Sequence, residues 1–439
     1  MPLSKTIKTA LTHTLNIKNI AMLAFLSCIF LITNVNAAFA TSANLTLNKP
    51  AENNANMIIA KDGTLYQENA DKTITIFAED TITPKYKGFV RNLKKEDFTP
   101  DGNGVIFDER GVVSYNGTIK DGYPDGYGIS FLKGKQEYAG TFKNGKYEGK
   151  GKVYFEDGET PSYIGDFKNG APHGRGTQFN ELGLKVYEGD FKNGKYHGTG
   201  ISFLNGVKAY FGDFNEGIKE GAGVSFDKKG NQVYVGHYKD NMKNGTGKIY
   251  YSDGEISFIG SFSQGMKTGD GTLYFGDGTT VQYRGNFDKD MRNGQGRLYR
   301  RDGSLLYEGS FNYDRIDGVG KFFNEDETPY YTGSVWNGLA NGRGVIVAKD
   351  GSPYYKGEFK QNNPEGFGLT YSNGFILYKG GFKAGIPDGY GVLFYENSNN
   401  PRYIGEFSQG VPDGYGKSFT RDGTLTHEGS FVLGVFNEK

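Results

Sequence analysis

From Tyr115 onward, apolar and polar positions alternate in short runs that recur every 23 to 25 residues. One unit reads Tyr187-Glu188-Gly189-Asp190-Phe191-Lys192, then a turn signal at Asn193-Gly194, then a second run through His197-Gly198-Thr199-Gly200 that ends in Phe203. Strand side chains alternate with a period of two, so Tyr187, Gly189 and Phe191 share one face and Glu188, Asp190 and Lys192 the other. A second turn, often Asp-Gly as at Asp157-Gly158 and Asp253-Gly254, closes the unit. Two strands and two turns therefore fit into each repeat.

The register holds along the chain. The leading aromatic and the glycine two places later recur as Tyr115/Gly117, Tyr138/Gly140, Tyr163/Gly165, Tyr187/Gly189 and Tyr210/Gly212, and so on to His427/Gly429. Phe142, Phe167, Phe191 and Phe214 follow on the same face. Glycine weakens a strand interior, so its regular presence calls for a packing reason. A large ring lying over the bare backbone of a neighbouring glycine supplies one, and each hairpin is expected to seat its aromatics against the next. A lone hairpin is marginal, so stability is expected from stacking along the array. The pattern predicts an all-β fold: a single elongated antiparallel meander, or solenoid, of about 13 stacked hairpins. At roughly 4.8 Å per strand, this twisted ribbon would be about 120 Å long.

Composition separates the array from the rest of the chain. Of 68 glycines, 63 lie from Tyr115 onward, where they keep a fixed period among Phe and Tyr residues. That excludes a disordered glycine-rich chain, which cannot bury apolar surface. It also excludes collagen, which needs glycine at every third place.

Residues 1–40 place Lys5, Lys8 and Lys18 before an apolar run from Ile20 to Ile32, with Ala37, Ala38 and Ala40 beyond it. That order is expected of a signal peptide for export, the alternative being an uncleaved N-terminal membrane anchor. The exported chain would be periplasmic, cell-surface or secreted. Residues 41–56 read as a polar linker and 57–114 as an N-terminal cap. Within the cap, Tyr86-Lys87-Gly88 and Gly102-Asn103-Gly104 look like a degenerate repeat. The array covers 115–434 and a tail 435–439. The only cysteine, Cys28, lies in the leader, so the mature chain has no thiol for a disulfide or a thiolate metal site. The chain has 50 basic and 50 acidic residues, and loss of the three leader lysines leaves 47 against 50. This gives no general attraction for nucleic acid.

The motif Tyr-x-Gly-x-Phe-x-x-Gly followed by Gly-x-Gly, repeated from 115 to about 434, resembles the MORN repeat (membrane occupation and recognition nexus). Asn241, Asp290, Asp314 and Asn362 replace the glycine of the first turn, and Val335 takes a Phe place with Trp336 beside it. The resemblance implies scaffolding or self-association and, for some members, binding to phosphoinositide or phosphatidic acid lipids. MORN arrays also accompany kinase and methyltransferase domains, for which residues 41–114 offer little room.

Candidate chemistry is sparse. His173 and His197 occupy the same position in neighbouring units, where stacked imidazoles compete with plain turn histidines; no metal-ligand spacing accompanies them. Gly416-Lys417-Ser418 imitates the end of a phosphate loop but has Val411 where glycine is required. Pro-Asp-Gly at Pro124, Pro387 and Pro412 reads as a turn. No catalytic, metal or cofactor site is expected, and no small-molecule substrate. Two surfaces remain. Lys143, Lys168 and Lys192 form a row opposite the rings that suits anionic lipid or envelope glycan, although Asp166 and Asp190 share their face. The ring face, if partly open, would form a long groove. The expected function is a non-enzymatic scaffold for protein partners or self-association; the alternative is a lipid-binding or envelope-binding module, with Trp336 as a further candidate contact.

Overall fold

The computed structural model describes residues 57–95 and 97–438, so the expected export segment and linker lie outside the described residues. Thirty-three strands, numbered in chain order, run from β1 (Met57–Ile59) to β33 (Val435–Phe436). Each pairs antiparallel with its successor, from β1 with β2 (Leu65–Glu68) to β32 (Leu425–Val432) with β33, forming one open sheet. The described residues contain no α-helix; a 3-10 turn at Leu93–Lys95 joins β4 (Pro84–Asn92) to β5 (Asp97–Phe107).

The two glycines of each Gly-x-Gly pair serve different purposes. In β13 (Lys195–Leu204), Gly198 has φ +57° and lies at a bulge, where Asp190 faces His197 instead of Thr199. Gly126 and Gly149 repeat that positive φ, at 101° and 61°. Only glycine adopts this backbone at little cost. Gly200, by contrast, faces Gly189 of β12 (Lys185–Lys192) directly across the ladder. The Tyr187 ring lies over both, so that a Cβ on Gly200 would fall 2.6 Å from Tyr187 Cε2. The second glycine is thus required by close approach.

The first-strand glycines are held by the same crowding. Gly117, Gly140, Gly165 and Gly212 occupy the place of Gly189 and face Gly128, Gly151, Gly176 and Gly223 in turn. A Cβ on any of the four would collide with the Cα of the facing glycine and with a tyrosine hydroxyl. That hydroxyl belongs to Tyr115, Tyr138, Tyr163 or Tyr210, the leading ring of the same hairpin. The expectation that such contacts seat one hairpin against the next is therefore corrected. Ring on glycine closes each hairpin upon itself, because a side chain two residues away on the same strand face reaches both glycines of the pair.

The same geometry seats each leading ring. Tyr187 is fully buried and its hydroxyl donates to the Asp190 carbonyl at 3.0 Å. Tyr138, Tyr163 and Tyr283 donate likewise to Thr141, Asp166 and Asn286. In most units a Phe then wedges edge-on between two successive tyrosines, and this wedge adds ring contacts between hairpins to the strand pairing that joins them. Phe191 meets Tyr163 at 5.0 Å and 85°, and Tyr187 at 5.1 Å and 89°. Such edge-to-face pairs contribute about 0.5–1.5 kcal/mol beyond area burial. The core is a continuous ladder of rings (Tyr115, Tyr138, Phe142, Tyr163, Phe167 and onward) on one face of the sheet.

At Val335 the wedge is missing. Val335 is buried in the Phe place, but Trp336 stays 57% exposed and adds nothing to the core. Phe322 leans in instead, 4.9 Å from Tyr307 and 6.3 Å from Tyr331. Other units put smaller residues such as Ser202 or Leu298 at that place.

The first turns are of the type I′ kind. Asn169 and Gly170 have φ of 52° and 89°, as two-residue hairpins between twisted strands require. Asn241, Asp290, Asp314 and Asn362 retain the conformation, with φ between 66° and 71°. They also do what glycine cannot. The second turn residue donates its N–H to a carbonyl of the preceding unit, as in Gly194 to Pro172 and Asn362 to Ala340. Where that partner is proline (Pro100, Pro124, Pro172, Pro364, Pro387, Pro412), it has no N–H and the turn residue is always glycine. Where the turn residue is Asn or Asp, its side chain accepts from the partner's N–H: Lys219 to Asn241, Lys267 to Asp290, Arg292 to Asp314 and Ala340 to Asn362, at 2.7–3.0 Å.

This pairing predicts that Asn362→Ala costs about 2 kcal/mol in denaturant unfolding, because it keeps the unfavourable φ and leaves the buried Ala340 N–H unpaired. Asn362→Gly should cost less, and Ala340→Pro combined with Asn362→Gly should restore most of the stability. Equal losses in all three variants would sever the link between the two positions.

Pro124-Asp125-Gly126, expected as a turn, lies inside β7 (Tyr123–Leu132); Pro387 and Pro412 are likewise in strands. The glycine here is the bulge residue, and Asp125 accepts a hydrogen bond at 3.2 Å from Asn144 N in the next unit's turn. The second turns are built as expected from Asp. Asp277 accepts from Thr279 N and Thr280 N, and hydrogen bonds led by the Thr280 hydroxyl hold its carboxyl down at about 2. In the N-terminal region, Tyr86 is buried, its hydroxyl donates to the Phe89 carbonyl at 2.6 Å, and Gly88 faces Gly104.

Candidate recognition surfaces

The ring face is sealed. Tyr138, Tyr187, Tyr210, Tyr234, Tyr283 and Tyr307 have no exposed area, which removes the groove that an open ring face would have formed. The seal is a second layer set by one position in the second strand of each unit. Tyr147 stacks flat on Tyr138 at 3.8 Å, and Tyr196 on Tyr187 at 3.7 Å. Farther along, cations replace these rings: Lys219 Nζ lies 4.6 Å from the Tyr210 centroid, Lys243 5.0 Å from Tyr234, Lys267 5.5 Å from Phe258 and Arg292 5.7 Å from Tyr283. Their stems cover the aromatic ladder while the heads stay near water. Burial pushes the Lys219 and Lys243 ammonium pKa values down. Sequence reasoning missed this layer because its residue type changes from ring to cation to proline. Its constant offset from the turn is the signal that would have found it.

Lys143, Lys168 and Lys192 are exposed at the first-turn end of their strands. The acids of their face turn elsewhere. Asp166 pairs with Lys150 at 3.0 Å and Asp190 with Arg175 at 3.3 Å, both across neighbouring strands. Among the described residues, none of the three lysines forms an ion pair with a carboxylate. Lys143 stands opposite Lys146, and Lys192 opposite Lys195, although Glu216 engages Lys195 at 2.8 Å and Asp125 and Glu148 accept from turn amides at the same edge.

Concave space lies at the second-turn edge, in a groove of about 630 Å³ lined by Arg300, Phe323, Tyr330 and Lys349, and on the face opposite the rings, where the glycine belt lowers the surface. On that face a groove of about 330 Å³ is lined by Arg175, Thr177, Glu188, Thr199, Ile201 and Phe211. A second, of about 440 Å³, includes Asp270, Thr272 and Arg284, and a third, of about 420 Å³, ends against Phe367. Each spans neighbouring strands at the same level of the repeat. The middle residue of Gly-x-Gly stands at this level, and it varies freely: Lys150, Arg175, Thr199, Asp270, Val319, Phe367. The described residues contain no cluster of three or more His, Cys, Asp or Glu side chains placed to hold a metal. His173 and His197 bury Nδ1 without a hydrogen-bond partner.

An open meander of hairpins stacked through a ring and glycine ladder is a repeat architecture with one display face. The MORN repeat model matches thirteen segments between residues 115 and 425, more than half of the chain, and the chain belongs to the MORN repeat family. MORN repeats are protein-interaction and membrane-interaction modules, which makes this chain a repeat scaffold or binding protein. No curated protein sequence matches it significantly. Among solved structures, it is similar at 12% identity to the extracellular domain of a hybrid two component system, BT3049, from B. thetaiotaomicron, covering 89% of this chain and 60% of that one with a TM-score of 0.14. A TcdB2-TccC3-TEV structure matches at 10% identity over 87% of this chain and 24% of that one, with a TM-score of 0.11. The chain thus spans under two thirds of either protein, and at these TM-scores neither likeness bears on its fold or function.

Proposed function

We propose that this protein is an exported, non-enzymatic scaffold that binds protein partners or further copies of itself along the face opposite the rings. One observation supports this reading above others: the positions that repeat are consumed by packing, while the side chains at the level of the grooves differ from unit to unit. A repeat array built this way holds many distinct contacts at fixed spacing on a rigid frame. Crosslinking in native cells, followed by recovery of the protein, should capture a defined partner or an oligomer. Recovery as a free monomer would remove the scaffold reading.

A second reading, binding to anionic lipid or envelope glycan, draws on the unpaired Lys143, Lys168 and Lys192. If it holds, the triple Lys→Glu variant should lose co-sedimentation with anionic vesicles or wall material, with its unfolding midpoint unchanged. Each lysine near an anionic surface is worth about 1 kcal/mol, so three reversals should abolish binding. Undiminished co-sedimentation would remove this reading.

A further inference from the structure

The middle Gly-x-Gly position is aromatic at Tyr127 and then not again until Phe367, Tyr390 and Tyr415, in three consecutive units. These last three side chains stand on the face opposite the ladder and are 52%, 67% and 60% exposed. They lie on β27 (Asn363–Ser372), β29 (Ile386–Phe394) and β31 (Val411–Phe419), with one strand between each and the next. The intervening strands carry little between the rings. Phe367 faces Gly381, which has no side chain, and Tyr390 faces Glu406. The Glu406 carboxylate bends to accept from Tyr415 N at 3.3 Å, and among the described residues it forms no ion pair. Lys417, nearby, is engaged by Glu428 at 2.9 Å. The result is three exposed aromatic walls on alternate strands, two slots between them and a negative charge that no cation engages.

The spacing selects an occupant. Walls two strands apart are separated by about 9.6 Å. An α-helix repeats every 5.4 Å or so and an extended strand about every 6.8 Å, so neither places equivalent residues in successive slots. A polyproline II helix, with three residues per turn and a rise of about 3.1 Å, repeats every 9.3 Å or so. We propose that the Phe367, Tyr390 and Tyr415 row binds a proline-rich segment of a partner protein in the polyproline II conformation, with a basic residue of that segment against Glu406. Prolines one turn apart occupy successive slots. The Tyr390 hydroxyl faces a carbonyl that this helix leaves without internal hydrogen bonds, while the Tyr415 hydroxyl donates to Glu428 Oε1 at 3.5 Å. The ligand is already extended and loses little entropy on docking. The row continues into the groove that ends at Phe367, where Glu358 and Arg343 extend the polar rim.

This inference rests on the scaffold reading and specifies one of its partners. The test is fluorescence anisotropy of a labelled peptide of three Pro-Pro-Ala triplets preceded by arginine, titrated with the full chain. Saturable binding is expected. Phe367→Ser, Tyr390→Ser and Tyr415→Ser should each weaken it roughly tenfold, and the triple variant should abolish it. Because all three rings are exposed, the unfolding midpoint should not move. Tyr127→Ser, the isolated ring at the same register, should leave binding intact, and Glu406→Gln should weaken it and reduce its salt dependence. No binding by the wild type, or full binding by the triple variant, overturns the proposal. So does a row that binds soluble β-glucan, or a second copy of the chain, in place of the peptide. If the wild type binds the peptide but captures no partner in cells, the scaffold reading falls and the row stands. If the triple variant captures partners as well as the wild type does, the row falls and the scaffold stands.

Discussion

Gly200→Ala is expected to destabilise the protein by about 3–5 kcal/mol, far more than an alanine usually costs in a strand. The new Cβ would lie 2.6 Å from Tyr187 Cε2 and closer still to its Oη and Cζ. The ring cannot slide away, because Phe191 and Phe214 press on it edge-on at 5.1 and 5.2 Å and Tyr196 covers it at 3.7 Å. It would have to leave the ladder, giving up its burial and its hydrogen bond to Asp190. Tyr187→Phe, which keeps the ring and drops the hydroxyl, should cost only about 1 kcal/mol. Phe258 already fills that place in another unit and is fully buried. Gly276→Ala is the control: its Cβ would meet nothing within 4 Å, so the change should stay within about 0.5 kcal/mol of zero. Denaturant unfolding measures all three, and hydrogen exchange should show the Gly200→Ala lesion concentrated in the units around β12 and β13. A small effect at Gly200 would mean that the ring and glycine contact is not what seats the ladder.

Raising the pH above about 10 should unfold the array cooperatively. Burial pushes Tyr283, Tyr307, Tyr331, Tyr355 and Tyr378 from the ordinary 10.0 up to about 12. Tyr115, Tyr138, Tyr163, Tyr187, Tyr210 and Tyr234 are driven higher still by the same cause. The sign follows from which form the fold keeps. A folded-state pKa above the unfolded value means the native ladder favours the neutral phenol. The stabilisation is complete below about 10 and is lost as the pH rises from there through 12. Many rings share the effect in one stack, so tyrosinate absorbance and the strand signal in circular dichroism should change together. Gradual tyrosine titration with the sheet intact would contradict the burial on which the core depends.

The regularity of the sequence made the architecture legible. Tyr-x-Gly-x-Phe alone implies one strand face, and its repetition implies stacking; the structure places Tyr138, Phe142, Tyr163 and Phe167 in that ladder. Which contacts bridge hairpins was not legible, because Gly140 and Gly165 share a face with both the ring of their own unit and the Phe that reaches the next. Less still was legible wherever a residue acts on another unit. Asn362 looks like a mere turn substitute until its side-chain oxygen meets Ala340 N. Phe322 looks like an ordinary strand residue until Val335 leaves a gap beside it. Pro124-Asp125-Gly126 has the composition of a turn, yet it lies inside β7, absorbed as a bulge in the pairing with the preceding strand. The expected lysine row is present, but its neighbouring acids point toward Lys150 and Arg175, which alternation along a strand cannot reveal.

Local rules operate within about four residues, and this chain repeats them so often that period, strand face and turn type follow from the sequence by itself. Which side of the sheet is closed is another matter. That depends on contacts between residues well beyond that range: Tyr196 over Tyr187 within a hairpin, Phe214 against Tyr187 between hairpins, cations over rings farther along. Only their assembly sealed the ring face and left the glycine-lowered opposite face open. The side chains left in the open are therefore not the recurring rings but variable residues inside Gly-x-Gly, among them Phe367, Tyr390 and Tyr415.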